Sequence, residues 1–313
     1  MPVTVVGSIA YDAVTTPFGS RERMLGGSAV HFGLAASFFD AVTMVGPVGE
    51  DFAAEDIALL EERGIDTEAI ERVPGGRTFF WRGVYGWDLN DRETLDTQLG
   101  VFAAFEPKLS RAAQAADVLF LANIQPDLQR QVREQCRGAR LVALDSMNLW
   151  IETARDSLIE TLAGVDCLLL NDAELRQLTE EPNLVRAARR IRDWGPEVVV
   201  AKQGEYGAAL LAGDDFFALP AFPLETVIDP TGAGDSFAGG FIGYLAAHGG
   251  PRPDREVLAR AMAYGTALAS FNVEEFGTER VVRVSVEEIS ERVAQLQQIT
   301  TFTEVPAALR SRL

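Results

Sequence analysis

The chain has 313 residues, 47% of them hydrophobic, enough for one large α/β domain or two smaller ones. A formal charge of −18 disfavours nucleic acid and anionic membrane surfaces as partners. No apolar run approaches the roughly 18 residues of a membrane span, and two cysteines and two histidines are too few for a metal cluster.

Met1–Val6 is expected to be a strand rather than a signal peptide, and Cys136 and Cys167 to be reduced thiols, which suits a cytoplasmic protein. In chain order, Val3–Gly7 predicts the first strand and Ser28–Phe39 a helix after a Gly-Gly turn. Val42–Gly46 predicts a strand and Phe52–Arg63 a helix. Arg77–Trp87 then alternates large and polar residues and reads as part of a small antiparallel sheet, with which Ala10–Phe18 can pair. Val118–Leu121, Leu141–Leu144, Cys167–Leu170 and Val198–Ala201 are short apolar runs of the kind buried on both faces of a parallel sheet. Helices are expected between them over Pro126–Cys136, Ile151–Leu162 and Asn183–Trp194. Ala208–Leu211 and Phe216–Leu219 flank a Gly-Asp-Asp hairpin signal, and the last third reads as helices over Gly234–Ala247, Arg255–Phe271 and Val286–Gln297. Strands alternating with helices predict an α/β fold with a mostly parallel sheet.

The most informative stretch is Ile228-Asp229-Pro230-Thr231-Gly232-Ala233-Gly234-Asp235-Ser236-Phe237-Ala238-Gly239-Gly240-Phe241. Gly232 and Gly234 permit a sharp turn in which several N–H groups converge beside a helix N-terminus, a geometry that binds anions. Asp235 lies at the mouth of that turn, so donors for a phosphoryl group stand next to a base for a hydroxyl proton. A purely structural use of Asp235 as a helix cap is the alternative. A P-loop is excluded, because the only lysines are Lys108 and Lys202 and neither follows this turn. A dinucleotide fingerprint is disfavoured, because Phe237 stands where a third glycine is needed.

Asp229–Phe241 closely resembles the C-terminal signature of the ribokinase/PfkB carbohydrate-kinase family, and Leu25-Gly26-Gly27-Ser28-Ala29-Val30-His31-Phe32-Gly33 resembles its N-terminal signature. The resemblance spans nearly the whole chain. It implies one ribokinase-like domain over residues 1–313, a three-layer α/β/α sandwich with a small β-sheet lid from about 10–18 and 77–103. The implied activity is ATP- and Mg²⁺-dependent phosphoryl transfer to a hydroxyl of a sugar or nucleoside. A catalytically inactive binding or regulatory relative is the alternative. Asp235 would be the general base, with the amides of Gly232, Ala233 and Gly234 as the anion hole.

Asn171 and Glu174 match an Asn-x-x-Glu motif tied to magnesium and phosphate, Glu174 acting largely through water; the same pair also reads as a helix capping box. Lys202, Gly204 and Gly207 match a segment lining the nucleotide's phosphates and ribose, Thr226 and Val227 would lie near its nucleoside end, and Ala269–Gly277 would close the adenine side. Asp229 and Thr231 match a loop that holds a monovalent cation such as potassium in several members. On the acceptor side, Asp12 would accept from substrate hydroxyls and Gly26 and Gly27 would let substrate approach the backbone. His31 stands where relatives usually carry an asparagine that reads those hydroxyls, which puts ribose and simple nucleosides in question as unaltered substrates. Asn123, Gln125, Gln129, Asp145 and Asn148 follow sheet strands and are further pocket candidates, with ordinary loop solvation as the alternative. The lid would exclude water that competes with the acceptor, and arginines such as Arg77, Arg82 and Arg92 could receive a sugar phosphate despite the overall charge. A homodimer through the lid is a further expectation.

Overall fold

Strand β1 (Val3–Val6) is buried along its whole length and lies inside the main sheet of the computed structural model, which describes residues 1–250 and 253–301. The expected domain end at 302–313 falls outside the described residues. Strands β2 (Ala10–Thr16) and β3 (Gly19–Gly26) follow, then β4 (Val42–Gly49), β5 (Ile65–Asp66), β6 (Ile70–Val73), β7 (Phe79–Tyr85) and β8 (Arg92–Gln98). The later strands are β9 (Val118–Leu121), β10 (Leu141–Asp145), β11 (Cys167–Asn171), β12 (Val198–Lys202), β13 (Ala208–Ala212) and β14 (Asp215–Leu219). The main sheet runs β14-β13-β12-β11-β10-β9-β1-β4-β5, with β6 paired to β4. It is parallel except where β13 turns back on β12 and β14 on β13.

The helices are α1 (Ser28–Ala36), α2 (Ala54–Glu62), α3 (Arg111–Gln114), α4 (Pro126–Gln135), α5 (Asn148–Thr153), α6 (Arg155–Leu162), α7 (Asp172–Thr179), α8 (Leu184–Arg192), α9 (Ala233–His248), α10 (Arg255–Asn272), α11 (Glu279–Arg283) and α12 (Val286–Thr300). Because successive strand residues face opposite sides, Val3, Val5, Phe120, Leu169 and Val200 pack against α1, α9 and α10. Their neighbours Val6, Leu119, Leu121, Leu168 and Val199 pack against α4, α6, α7 and α8. The result is the three-layer sandwich that the family resemblance implies, with the mostly parallel sheet that the alternating pattern predicts. Gly239 matters here, because a Cβ on it would stand 2.3 Å from the Phe32 carbonyl oxygen, so α9 can close on α1 only with glycine there.

The second sheet has the order β3-β2-β7-β8. Segments 10–18 and 77–87 do pair, but in parallel register, with Ala10 opposite Phe79 and Asp12 opposite Trp81; each is then hairpinned to an antiparallel neighbour. The expected helix over 151–162 is two helices, because Ala154 leaves helical geometry at φ −144°.

Candidate active site

Parallel strands end at one edge of their sheet, and this edge gathers the polar residues of the site. Asp145 closes β10, Asn171 closes β11 and Lys202 closes β12, with Asn171 and Lys202 in register. The turn before α9 reaches the same place. Gly232 sits in the left-handed region at φ 76°, and a Cβ there would lie 2.3 Å from the His31 ring, so both conformation and space require glycine. The sixteen-residue α9 begins at Ala233 and carries Asp235 in its first turn. Of the three amides expected to face an anion, that of Ala233 already donates to the Pro230 carbonyl at 3.2 Å. An anion at the turn would share that N–H or displace the carbonyl from it.

Asp235 is half-buried rather than sealed in the interior. Burial pushes its pKa up to about 7, the Asp145 charge adds to the rise, and Lys202 and Arg92 oppose it. The Lys202 ammonium donates to Asp145 Oδ2 at 2.7 Å and lies 3.1 Å from where a Gly234 Cβ would stand. A cation is thus held against the glycine turn. Burial works against the charge on Lys202, but Asp145, Glu174 and Asp235 outweigh it and hold its pKa above the ordinary lysine value. Burial pushes Asp145 up while Lys202 opposes; at this distance the two remain an ion pair.

Asn171 and Glu174 form the capping box: Glu174 N–H donates to Asn171 Oδ1 at 2.7 Å and Asn171 N–H to Glu174 Oε2 at 2.8 Å. The structural alternative is therefore realised, and it fixes the Glu174 carboxylate near Lys202 and Asp145. Burial raises its pKa, with Lys202 opposing.

A cleft of about 460 Å³ opens beside the turn, lined by Gly204 and Gly207, the apolar Phe222, Leu224, Val227, Phe237 and Val273, and Asp88–Asn90 of the β7–β8 hairpin. Gly204 and Gly207 are both left-handed or at positive φ (56° and 98°), which lets the chain between β12 and β13 hug the cleft. Val227 lines it; Thr226 is exposed and lies outside the lining.

On the acceptor side, Asp12 is 6% exposed and its Oδ2 occupies the space that a Gly26 Cβ would need, at 2.0 Å. Burial pushes the Asp12 pKa up to about 7, and the Asp229 charge adds to it. Gly27, at φ 98°, caps α1. His31 is buried against the underside of the turn, with Nδ1 3.0 Å from Asn272 Oδ1. Several strand-end candidates make hydrogen bonds within the scaffold. Asn123 Oδ1 accepts from the Trp150 indole at 3.0 Å, and Gln129 donates to the Leu121, Ala122 and Asp145 carbonyls. Gln125 and Asn148 are exposed at helix starts. Asp229 is fully buried and its two oxygens accept from the Thr231 and Gly277 amides at 2.9 Å each, bracing the loop from both sides.

Sequence reasoning missed Asn272, Ser236 and Tyr85 as residues holding the turn. Asn272 Nδ2 donates to the Thr231 carbonyl at 2.7 Å, Ser236 Oγ donates to Asn272 Oδ1 at 2.9 Å, and the Thr231 hydroxyl donates to Tyr85 OH at 3.2 Å. An asparagine ending an otherwise apolar helical run was the available signal. Arg92 lies opposite Tyr85 in the β7–β8 ladder, where paired residues share a face, so the second sheet carries a cation on the side that meets the turn. Its guanidinium is 5.9 Å from the Trp81 ring centre.

Residues 3–283 match the family model described as pfkB family carbohydrate kinase. The chain is 30% identical over 265 residues to the cytidine kinase of Thermococcus kodakarensis, covering 82% of this chain and 92% of that protein. It is 27% identical to the nucleoside kinase of Methanothermobacter thermautotrophicus, over 90% of this chain and 88% of that one. Burkholderia thailandensis nucleoside kinase in complex with ADP-inosine superposes with a TM-score of 0.77 at 19% identity, over 99% of each chain. With a family model over nearly its whole length and relatives that are nucleoside and sugar kinases, this chain belongs to the pfkB family of carbohydrate kinases.

Proposed function

We propose that the protein is an ATP-dependent kinase that phosphorylates a hydroxyl of a nucleoside, with sugars as the second acceptor class. The observation that carries this reading is the convergence of Asp235, the Gly232–Gly234 turn and Lys202 beside an apolar cleft large enough for a nucleotide base. The acceptor hydroxyl would lose its proton to the Asp235 carboxylate as its oxygen bonds to the γ-phosphorus. The bond to the bridging oxygen breaks and ADP leaves, while turn amides and Lys202 carry the developing charge. Glu174, with Asn171, is the carboxylate available to hold Mg²⁺ through its water shell, which would neutralise phosphate charge.

The acceptor would lie between Asp12 and the lid. Asp12 and Trp81 are in register on β2 and β7, so the indole and the carboxylate share the lid's inner face. A ring stacked on Trp81 with its ribose toward Asp12 favours nucleosides, and two of the relatives are named nucleoside and cytidine kinases. Arg92 on the same face favours a second reading, a sugar phosphate. Residues 10–18 and 77–103 act as the lid; β2, β7 and the loop after α10 already meet through Val14, Tyr85 and Phe276. A potassium ion at this loop would use the lone pairs that Asp229 keeps beyond its two backbone amide bonds, and full activity in buffer free of sodium and potassium would remove the idea. The buried thiols Cys136 and Cys167 support a cytoplasmic setting, and exposed Phe18, Trp87, Leu95 and Leu99 on or beside the lid strands support a homodimer through the lid. A coupled ATP assay over nucleosides, sugars and sugar phosphates tests the reading. Turnover with a nucleoside is expected; turnover with ribose-1-phosphate alone would establish the second reading, and Mg-ATP binding without turnover would favour an inactive relative.

A further inference from the structure

Asn272, the last residue of α10, is fully buried against α9 and α1, and its hydrogen bonds determine the state of the histidine beside it. Its Nδ2 donates to the Thr231 carbonyl, so its Oδ1 is the oxygen that faces Ser236 and His31. A carbonyl oxygen only accepts, so the proton between it and His31 belongs to Nδ1 of the imidazole. Burial pushes the His31 pKa down to about 4, so the ring is neutral and Nε2 is left as a bare lone pair. That nitrogen is buried without a hydrogen-bond partner, a cost that an apolar ring of similar size would not carry. Meanwhile the ring lies directly under Gly232, where even a methyl group would overlap it at 2.3 Å.

We propose that His31 and Asn272 are positioning residues that hold the anion-binding turn, His31 by supporting Gly232 and donating through Nδ1 to Asn272, and Asn272 by gripping Thr231. This assigns His31 a role other than reading acceptor hydroxyls, and it rests on the kinase reading only for its kinetic consequence. The brace also links the acceptor segment to the phosphoryl site, because Gly27 caps the helix on which His31 is one turn further along. Loss of the brace lets the turn shift while leaving both binding pockets in place. A displacement of about 1 Å in such a group can cost about 10²-fold in rate.

Two replacements separate the ring nitrogens, since an asparagine amide falls where Nδ1 was and a glutamine amide where Nε2 was. With Mg-ATP and whichever acceptor the wild-type protein phosphorylates, His31→Asn is expected to keep kcat within about threefold. His31→Gln is expected to lose about tenfold or more in kcat with acceptor KM little changed. Glutamine performing as well as asparagine or better would overturn the proposal, because Nε2 would then be the working atom. A second arm needs neither turnover nor a replacement of His31. Nitrogen-15 spectra of the full chain contain two histidines, and exposed His248→Gln identifies which signals are His31. A neutral Nδ1–H tautomer is expected, and an Nε2–H tautomer would overturn the assignment. If the wild-type protein phosphorylates no acceptor, the kinase reading fails while the tautomer still decides the brace.

Discussion

Asp235→Asn separates what the residue does for catalysis from what it costs the fold. In the folded chain burial, then the Asp145 charge, raise its pKa from 3.8 to about 7. A carboxylate with a raised folded-state pKa favours folding in its protonated form, so its contribution is fully present below pH 3.8 and is lost as pH rises through about 7. At pH 8 the ionised group therefore opposes folding, and a rise of about 3 units sets a ceiling of about 4 kcal/mol. Asparagine still buries a polar amide, which leaves an expected gain of about 1–2 kcal/mol, or about 2–5 °C in Tm. Turnover should fall by about 10²-fold or more with the proposed base removed. Thermal unfolding at pH 8 and pH 4.5, paired with kcat at pH 8, provides the check. The stability gain should be present at pH 8 and should shrink towards zero at pH 4.5. An equal or lower Tm at pH 8 would refute the claim that burial strains this carboxylate, and near-normal kcat would refute its role as base.

Three further outcomes follow from the same geometry. With Asp235 as the proposed base and its pKa pushed up to about 7 by burial, kcat/KM should rise with pH up to that value and level off above it; a profile flat between pH 5.5 and 8 would contradict this. Lys202→Met leaves Asp145 buried without its cation, so a loss of about 3 kcal/mol in urea unfolding is expected together with reduced turnover, and an unchanged midpoint would count against the ion pair. Arg92→Ala removes an exposed side chain, so stability should stay within about 0.5 kcal/mol while kcat falls about tenfold or more; unchanged kinetics would take Arg92 out of the closed site.

The strands at 118–121, 141–145, 167–171 and 198–202 were legible because burial on both faces writes a continuous apolar run. Strands β5 and β6 were not, since they are short and present mostly polar or half-exposed residues. Alternation at 77–87 told which residues share a face but not the direction of pairing, so the parallel β2–β7 contact escaped it. Ala154 is a good helix former, and nothing local announces the break there. At the site, Gly232 and Asp235 were readable because turn and helix start are local. Asn272 and Tyr85 reach Thr231 from 41 and 146 residues away, which no local pattern records. Asn123 and Gln129 are ambiguous for the opposite reason: a polar residue after a strand looks the same in sequence whether it meets a ligand or the indole and three carbonyls that these two meet.

Phosphorus-31 spectra of the protein incubated with Mg-ATP and a mixture of nucleosides test the central claim most directly. The account predicts ADP and a nucleoside monophosphate appearing in equal amounts, and neither appearing with Asp235→Asn. ATP bound but left intact, or split to ADP and free phosphate with every acceptor offered, would contradict it.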